Sequence, residues 1–398
     1  MASTYHVAID GNEANTTQRV GSNVYAFELI QAMYQQIEKR GLQATVLLSS
    51  PPLPHWPTET DRWQYQLVKP ARYWTQWAAP IYLEKHKAEF DVFFTPSHYA
   101  PRACPIPYVS SVMDTAYIAY PNEFKLKDRL QLTDWTEYSV KNADQVIVIS
   151  RFTKRSVHEV YKVPEKKIHI AYPAAAGDHE RVPAAEKHAY LEAQGIATPF
   201  FLYVGTIQPR KRLTILIKAF EDVCAEITAA SGRYRPKKSA LNALPQLILA
   251  GKIGWLANSV IQRAEQSPFK KQIKLLGYVS DRDKAILLQE SKALVLIGRH
   301  EGFGIPPLEA MLAGTIPIVA RTGSLPEVVG HAGMLVAADD TLQLANKLKL
   351  VLKQSARERA LLLAKGRDQA KTFSWTNSAD VIFEALDLVV AENKHASE

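Results

Sequence analysis

The chain is 398 residues long, more than one ordinary domain needs, so two domains of roughly 150 to 200 residues each are expected. A composition of 47% hydrophobic and 22% charged residues is that of a globular chain and excludes disorder and collagen-like repetition, while two distant cysteines, Cys104 and Cys224, exclude a disulfide scaffold and a clustered-thiolate zinc site. The net charge of +8 is uneven, with 19 basic against 18 acidic residues up to Asp178 and 29 against 22 beyond it; a basic half suits a phosphorylated small molecule, an anionic membrane surface or nucleic acid and selects none of them.

Between Met1 and Asp10 there is no basic leader or long apolar run, and no stretch reaches the ~18 apolar residues that span a bilayer. A cytosolic chain, at most peripheral to a membrane, is therefore expected. Short apolar runs alternate with helical patterns, the βα rhythm of a parallel sheet. The first series opens with a strand at Tyr5 to Ile9, a loop around Gly11 and Gly21 and a helix from about Asn23 to Lys39. Further strands are expected at Ala44 to Leu48, Val92 to Thr95, Tyr108 to Val112, Gln145 to Ile149 and Lys167 to Ala171. Ala174 to Pro199 has no strand signal and reads as a linker. The second series restarts at Phe200 to Val204, with a loop from Gly205 to Pro209 and a helix from about Lys211 to Glu226. It continues with strands at Gln246 to Ala250, Ile273 to Leu276, Ala293 to Ile297, Ile316 to Ala320 and Gly333 to Val336, and a last helix runs from about Asn377 to Val390. Both series begin strand, glycine-bearing loop, helix, which predicts an α/β protein of two Rossmann-like domains, 1–178 and 179–375, followed by a terminal helix in 376–398.

The richest segment for chemistry runs from Gly298 to Met311 and follows the strand ending at Ile297, at a sheet's carboxyl end, where ligands of open α/β sheets bind. Pro306 and Pro307 suit a first helical turn, and Gly302 and Gly304 leave backbone amides bare ahead of that helix's N-terminus. Glu301 and Glu309 frame this cradle, and a carboxylate can accept both hydroxyls of a ribose. A second segment, Gly205 to Arg212, places three cations, Arg210, Lys211 and Arg212, at a helix start that is already positive, so an anion should compensate them; Arg212 is expected to turn away.

Together these residues resemble the retaining glycosyltransferases of family four. Glu301 to Glu309 matches that family's E-x7-E motif within Glu-Gly-Phe-Gly-x-Pro-x-Leu-Glu-Ala, and Gly314 to Val319 with Ser324 to Val328 continues the pattern. Pro121, Ala143 to Ser150, Tyr172-Pro173 and Gly277 to Ser280 also fall where members carry similar residues, so the resemblance spans nearly the whole chain. It implies the GT-B fold, two Rossmann-like domains facing across a cleft, with the first binding the acceptor, the second the nucleotide sugar, and the last helix packing back on the first. Glu309 would hold the ribose, Arg210 and Lys211 the diphosphate, Glu301 with the amides of Gly302, Phe303, Gly304 and Ile305 the donor sugar, and Tyr278 and Val279 the base. Gly21 would approach the donor phosphates or the acceptor. Members often carry histidine before aspartate where this chain has Met113-Asp114, which makes Asp114 the nearest polar candidate there; many also have a second glycine near Gly21.

The activity implied is metal-independent, retaining transfer of a mannose-type or glucose-type hexose from a nucleotide diphosphate sugar to a glycan or lipid-linked glycan. No cofactor and no metal are expected, the nucleotide sugar being a co-substrate. Two readings stand beside it: a two-Rossmann sugar-nucleotide epimerase and, remotely, a basic nucleic-acid-binding protein, although nucleic acid is not an expected partner. Trp56, Trp63, Trp74 and Trp77 read as core filling before an acceptor or membrane surface. Lys154, Arg155, His158 and Lys162 read as a solvated face with a peripheral contact to an anionic membrane as the alternative.

Overall fold

The structure, a computed structural model, describes residues 4–19, 21–175, 181–230 and 244–397. The basic segment Arg233 to Lys238, read from the sequence as an exposed insertion, lies outside them. The chain forms two compact units, Met1–Ala174 with Phe373–Glu398, and Ala175–Thr372.

Unit 1 is built on seven strands: β1 (His6–Asp10), β2 (Gln43–Leu48), β3 (Trp63–Leu67), β4 (Val92–Thr95), β5 (Tyr108–Val112), β6 (Gln145–Val148) and β7 (Ile168–Ile170). Every pairing is parallel, in the order β3-β2-β1-β4-β5-β6-β7. Unit 2 carries β8 (Phe200–Val204), β9 (Gln246–Ala250), β10 (Ile273–Gly277), β11 (Ala293–Leu296), β12 (Ile316–Ala320) and β13 (Met334–Val336), again parallel, ordered β10-β9-β8-β11-β12-β13. Each series starts at mid-sheet, adds two strands outward on one side, then crosses back and adds the rest on the other. That reversal is the Rossmann pattern, and it occurs once in each unit.

Strands covered by helices on both faces need apolar residues at nearly every position, which is why β11 and β12 read as unbroken apolar runs and are buried throughout. β3 escaped the sequence reading for the complementary reason: it is an edge strand, Trp-Gln-Tyr-Gln-Leu, alternating and half-buried. Trp56, Trp63 and Trp74 are core residues, whereas Trp77 is 67% exposed. The expected linker contains a helix, Ala184–Ala193, whose Leu191 packs into unit 2. The last helix, Trp375–Ser397, is longer than expected and belongs to unit 1. Ile382, Phe383, Leu386 and Val389 are buried there, Arg40 pairs with Asp380 at 2.6 Å, and the Tyr25 ring packs on Trp375.

Candidate active site

In a parallel sheet all strands end on one edge, so the loops after β8, β9, β11 and β12 converge at the carboxyl edge of unit 2. Backbone bonds stitch them together. Ile207 N–H donates to the Lys252 carbonyl, Arg299 N–H to the Arg210 carbonyl at 3.1 Å, and Ser324 N–H to the Glu301 carbonyl at 3.1 Å. The Thr322 hydroxyl donates to the Gly298 carbonyl at 2.8 Å, and the Ser324 hydroxyl lies 2.8 and 2.7 Å from the carbonyls of Glu301 and Phe303.

The helix Ile305–Ala313 starts with its prolines in the first turn and stops at Gly314, whose left-handed φ of 82° lets its N–H return to the last carbonyls. Gly304 precedes it at φ 106°, a conformation in which an added Cβ would meet Leu325 at 2.7 Å. The amides of Gly302 to Ile305 thus stand ahead of a helix N-terminus, as the glycine spacing predicts.

Opposite this cradle the loop after β8 makes a tight turn, Pro209–Lys211, and Arg212 takes a left-handed φ of 58° before the helix Leu213–Ala230 begins. The three cations therefore diverge. Lys211 is buried and its Nζ lies 2.5 and 2.7 Å from the two carboxylate oxygens of Glu301, itself 8% exposed. Arg210 donates to the Gln208 side chain at 3.0 Å and to the His300 carbonyl at 3.3 Å. Arg212 turns away and pairs with Asp339. The Glu301 charge also reaches Tyr203, whose hydroxyl is held protonated well above its usual range, first by burial and then by that carboxylate.

Glu309 is 3% exposed and receives Lys284 Nζ on Oε1 at 2.7 Å; Asp281 lies 3.1 Å from the same ammonium. Burial pulls the Lys284 ammonium down, but Glu309 and Asp281 outweigh it and hold it above the usual lysine range. Lys284 was not legible in the sequence. Tyr278 and Val279 follow β10 at the same edge, Tyr278 being 42% exposed with Lys252 Nζ 5.4 Å from its ring and Val279 partly buried.

Two family descriptions match the sequence, Glycosyltransferase Family 4 over residues 21–175 and Glycosyl transferases group 1 over residues 191–368. The chain belongs to the family 4 glycosyltransferases. It is 29% identical over 333 residues to the O-antigen chain mannosyltransferase B of Escherichia coli, covering 82% of this chain and 79% of that one. To the serotype-specific mannosyltransferase WbdA of Escherichia coli it is 25% identical over 257 residues, 64% of this chain but 30% of that protein, so it spans under a third of that relative. The solved structure of Anabaena Alr3699/HepE in complex with UDP and glucose superposes with a TM-score of 0.70 at 16% identity, over 96% of this chain and 99% of that one. That likeness establishes the GT-B fold.

In this glycosyltransferase the remaining two sequence candidates lie in unit 1. Gly21 caps the helix Ser22–Arg40 at φ 54°, where a side chain would be strained although the space around it is open. Asp114 follows the end of β5 and accepts the Ala116 N–H at 3.0 Å. Met113 is buried. The loop after β4 brings a histidine that the sequence reading passed over: His98 Nδ1 is shielded from solvent with no hydrogen-bond partner among the described residues. Burial pushes its imidazole below the usual histidine range, against the pull of the Asp114 and Glu13 carboxylates. A histidine following a strand's carboxyl end was the signal available.

Proposed function

We propose that this glycosyltransferase moves a mannose-type hexose from a nucleotide diphosphate sugar to a hydroxyl of a glycan or lipid-linked glycan, with retention of the anomeric configuration and without a metal ion. The observation that carries this reading is a pair of buried lysine–carboxylate contacts, Lys211 with Glu301 and Lys284 with Glu309, flanking one helix N-terminus at the carboxyl edge of unit 2. The mannosyltransferase relatives support the sugar, and the UDP and glucose bound by the HepE structure support a nucleotide donor.

In this reading the donor diphosphate takes Lys211 and Arg210, and the sugar hydroxyls take the acceptor oxygens of Glu301, so binding exchanges an internal ion pair for two substrate contacts. Glu309 accepts the ribose through the oxygen that Lys284 leaves open, and Tyr278 and Val279 lie beside the base. Unit 2 binds the donor; unit 1 binds the acceptor, with Asp114 and the Gly21 backbone at its own carboxyl edge. As the bond from the anomeric carbon to the diphosphate breaks, the acceptor oxygen bonds to that carbon on the same face and its proton passes to the departing phosphate oxygen. The two cations and the helix dipole meet the charge that a divalent ion meets in metal-dependent transferases. We place the enzyme at the inner face of a membrane as a peripheral protein.

The test is transfer in excess EDTA, read by the anomeric proton coupling of the product. An α-linked product from an α donor, made in EDTA, is expected. A β-linked product refutes retention, and inhibition reversed by manganese refutes metal independence. Nucleoside diphosphate should be released only when acceptor is present, whereas an epimerase releases none.

A further inference from the structure

The basic helix that the sequence offered to a membrane, Arg151–Tyr161, is largely committed to its own unit: Lys154 donates to the Ile168 carbonyl at 3.0 Å, and His158 Nδ1 bonds the Val163 carbonyl at 2.8 Å. Beside it lies a different surface. The helix Leu126–Asn142 presents Leu126, Arg129, Leu130 and Thr133 at helical i, i+3, i+4, i+7 spacing, hence on one face. Leu126 and Leu130 are 61% and 57% exposed. Between the two helices opens a groove of about 350 Å³ lined by Tyr117, Ile118, Pro121, Arg129, Thr133 and Val160, among others. The same helix face also carries Glu137 into it, whose charge is met by Lys141 at 2.5 Å.

Arg129 is the cation of this groove, and it makes no ion pair among the described residues. Lys125 and Lys127 are exposed next to it, so that three cations stand against two acidic residues, Glu123 and Asp128, between Pro121 and Leu130. The surface therefore combines protruding aliphatic side chains, an apolar recess and an excess of cations at the mouth. A free phosphate would answer Arg129 but not the leucines. A sheet of anionic phospholipid answers both, since aliphatic side chains enter the acyl boundary while lysine and arginine stay at the phosphates.

We propose that this groove is the membrane-docking site of the protein: a phospholipid phosphate sits on Arg129, with Lys125 and Lys127 on neighbouring headgroups, and Leu126 and Leu130 enter the acyl boundary. The proposal rests on the peripheral placement given above and names the surface that provides it.

The experiment is co-sedimentation of the full chain with vesicles of phosphatidylcholine, alone or mixed with phosphatidylglycerol, with nucleotide binding followed separately by calorimetry. Binding to the anionic vesicles is expected, with little to the neutral ones. Arg129→Ala should weaken it about five-fold, the loss of one cation near a charged surface. The double variant Leu126→Ser, Leu130→Ser should weaken it about ten-fold or more at ~0.1 M salt, and should change nucleotide binding in neither case. Anionic-vesicle binding that both variants retain, or none at all, overturns the proposal, while intact nucleotide binding in the same samples leaves the transferase reading standing. Preference for neutral vesicles doped with a polyprenyl phosphate over phosphatidylglycerol would make the ligand a carrier lipid and overturn the bilayer assignment. A dimer in sedimentation velocity that the leucine variant dissociates would show instead that a second copy covers this face.

Discussion

At the scale of single residues, the proposed donor site turns on Glu309 and Lys284. A carboxylate accepting from a ribose contributes about 1.5 to 3 kcal/mol, so Glu309→Ala should weaken nucleotide binding by roughly ten- to hundred-fold in a titration while the fold survives. Unchanged affinity would remove Glu309 from the ribose. Lys284→Met separates positioning from packing: methionine fills the stem's volume, but the carboxylate loses the cation 2.7 Å away. Without that cation the carboxylate is no longer held in place for the ribose, so the variant's donor KM should rise several-fold with kcat little changed. An unchanged donor KM, or an equal fall in kcat, would reduce Lys284 to a structural residue. Lys211→Ala should lower kcat more than it raises donor KM, because its charge is needed most as the leaving diphosphate develops. Asp10 gives the protein a pH-dependent stability. Buried at the end of β1, its carboxyl is raised from 3.8 to about 7, first by burial and with Glu13 adding to it, although Asn12 hydrogen bonds pull it down. A raised carboxyl binds a proton in the folded state before the unfolded chain does, so its stabilisation is full below 3.8 and is lost as pH rises through about 7. Asp10→Asn should flatten that part of unit 1's stability profile. Tryptophan fluorescence reads it, since six of the seven tryptophans lie in unit 1.

At the scale of elements, the site depends on one loop holding another. Gly323 has φ 59°, and a Cβ there would stand 2.6 Å from the Glu301 carbonyl oxygen and 2.9 Å from its nitrogen. Gly323→Ala should therefore displace the Glu301 loop and lower kcat while sparing nucleotide affinity through Glu309; loss of both would mean that unit 2 had come apart. The same loops show why part of this design was visible in the sequence. The Gly302, Gly304, Pro306, Pro307 and Gly314 spacing is local, and each of those residues prescribes a backbone state without reference to the rest of the chain. The central strands were visible because burial on both faces forces apolar runs. β3 alternates at an edge, and the helix Ala184–Ala193 buries one side chain, Leu191, so neither carries the pattern that would betray it. Lys211 and Glu301 were each readable as candidates, but their contact joins residues 90 positions apart, and that of Lys284 with Glu309 joins residues 25 apart. Only folding the sheet brings those loops to one edge.

At the scale of the whole molecule, the chain leaves unit 1 after Ala174 and returns to it at Phe373, so unit 1 is finished by residues made after unit 2. The returning helix is tied at both ends of its first turns: Gln36 donates to the Thr376 carbonyl at 3.0 Å, the Ser378 hydroxyl to the Tyr172 carbonyl, and the Tyr172 and Phe373 rings pack at 5.5 Å. Each of Ile382, Phe383, Leu386 and Val389 contributes about 1.5 to 3 kcal/mol by leaving water, which together rivals the whole stability of a typical domain. A chain ending at Thr372 should accordingly lose unit 1 and keep unit 2. Since Arg210, Lys211, Tyr278, Glu301 and Glu309 all belong to unit 2, the piece 175–372 should still be protected from thermal unfolding by a nucleoside diphosphate, the stabilisation growing with ligand concentration as mass action requires. The truncated chain should bind nucleotide yet transfer nothing, because its acceptor half has unfolded. Loss of nucleotide protection in 175–372, with that piece folded by circular dichroism, would show that unit 1 supplies part of the donor site and that the division of labour between the units is wrong.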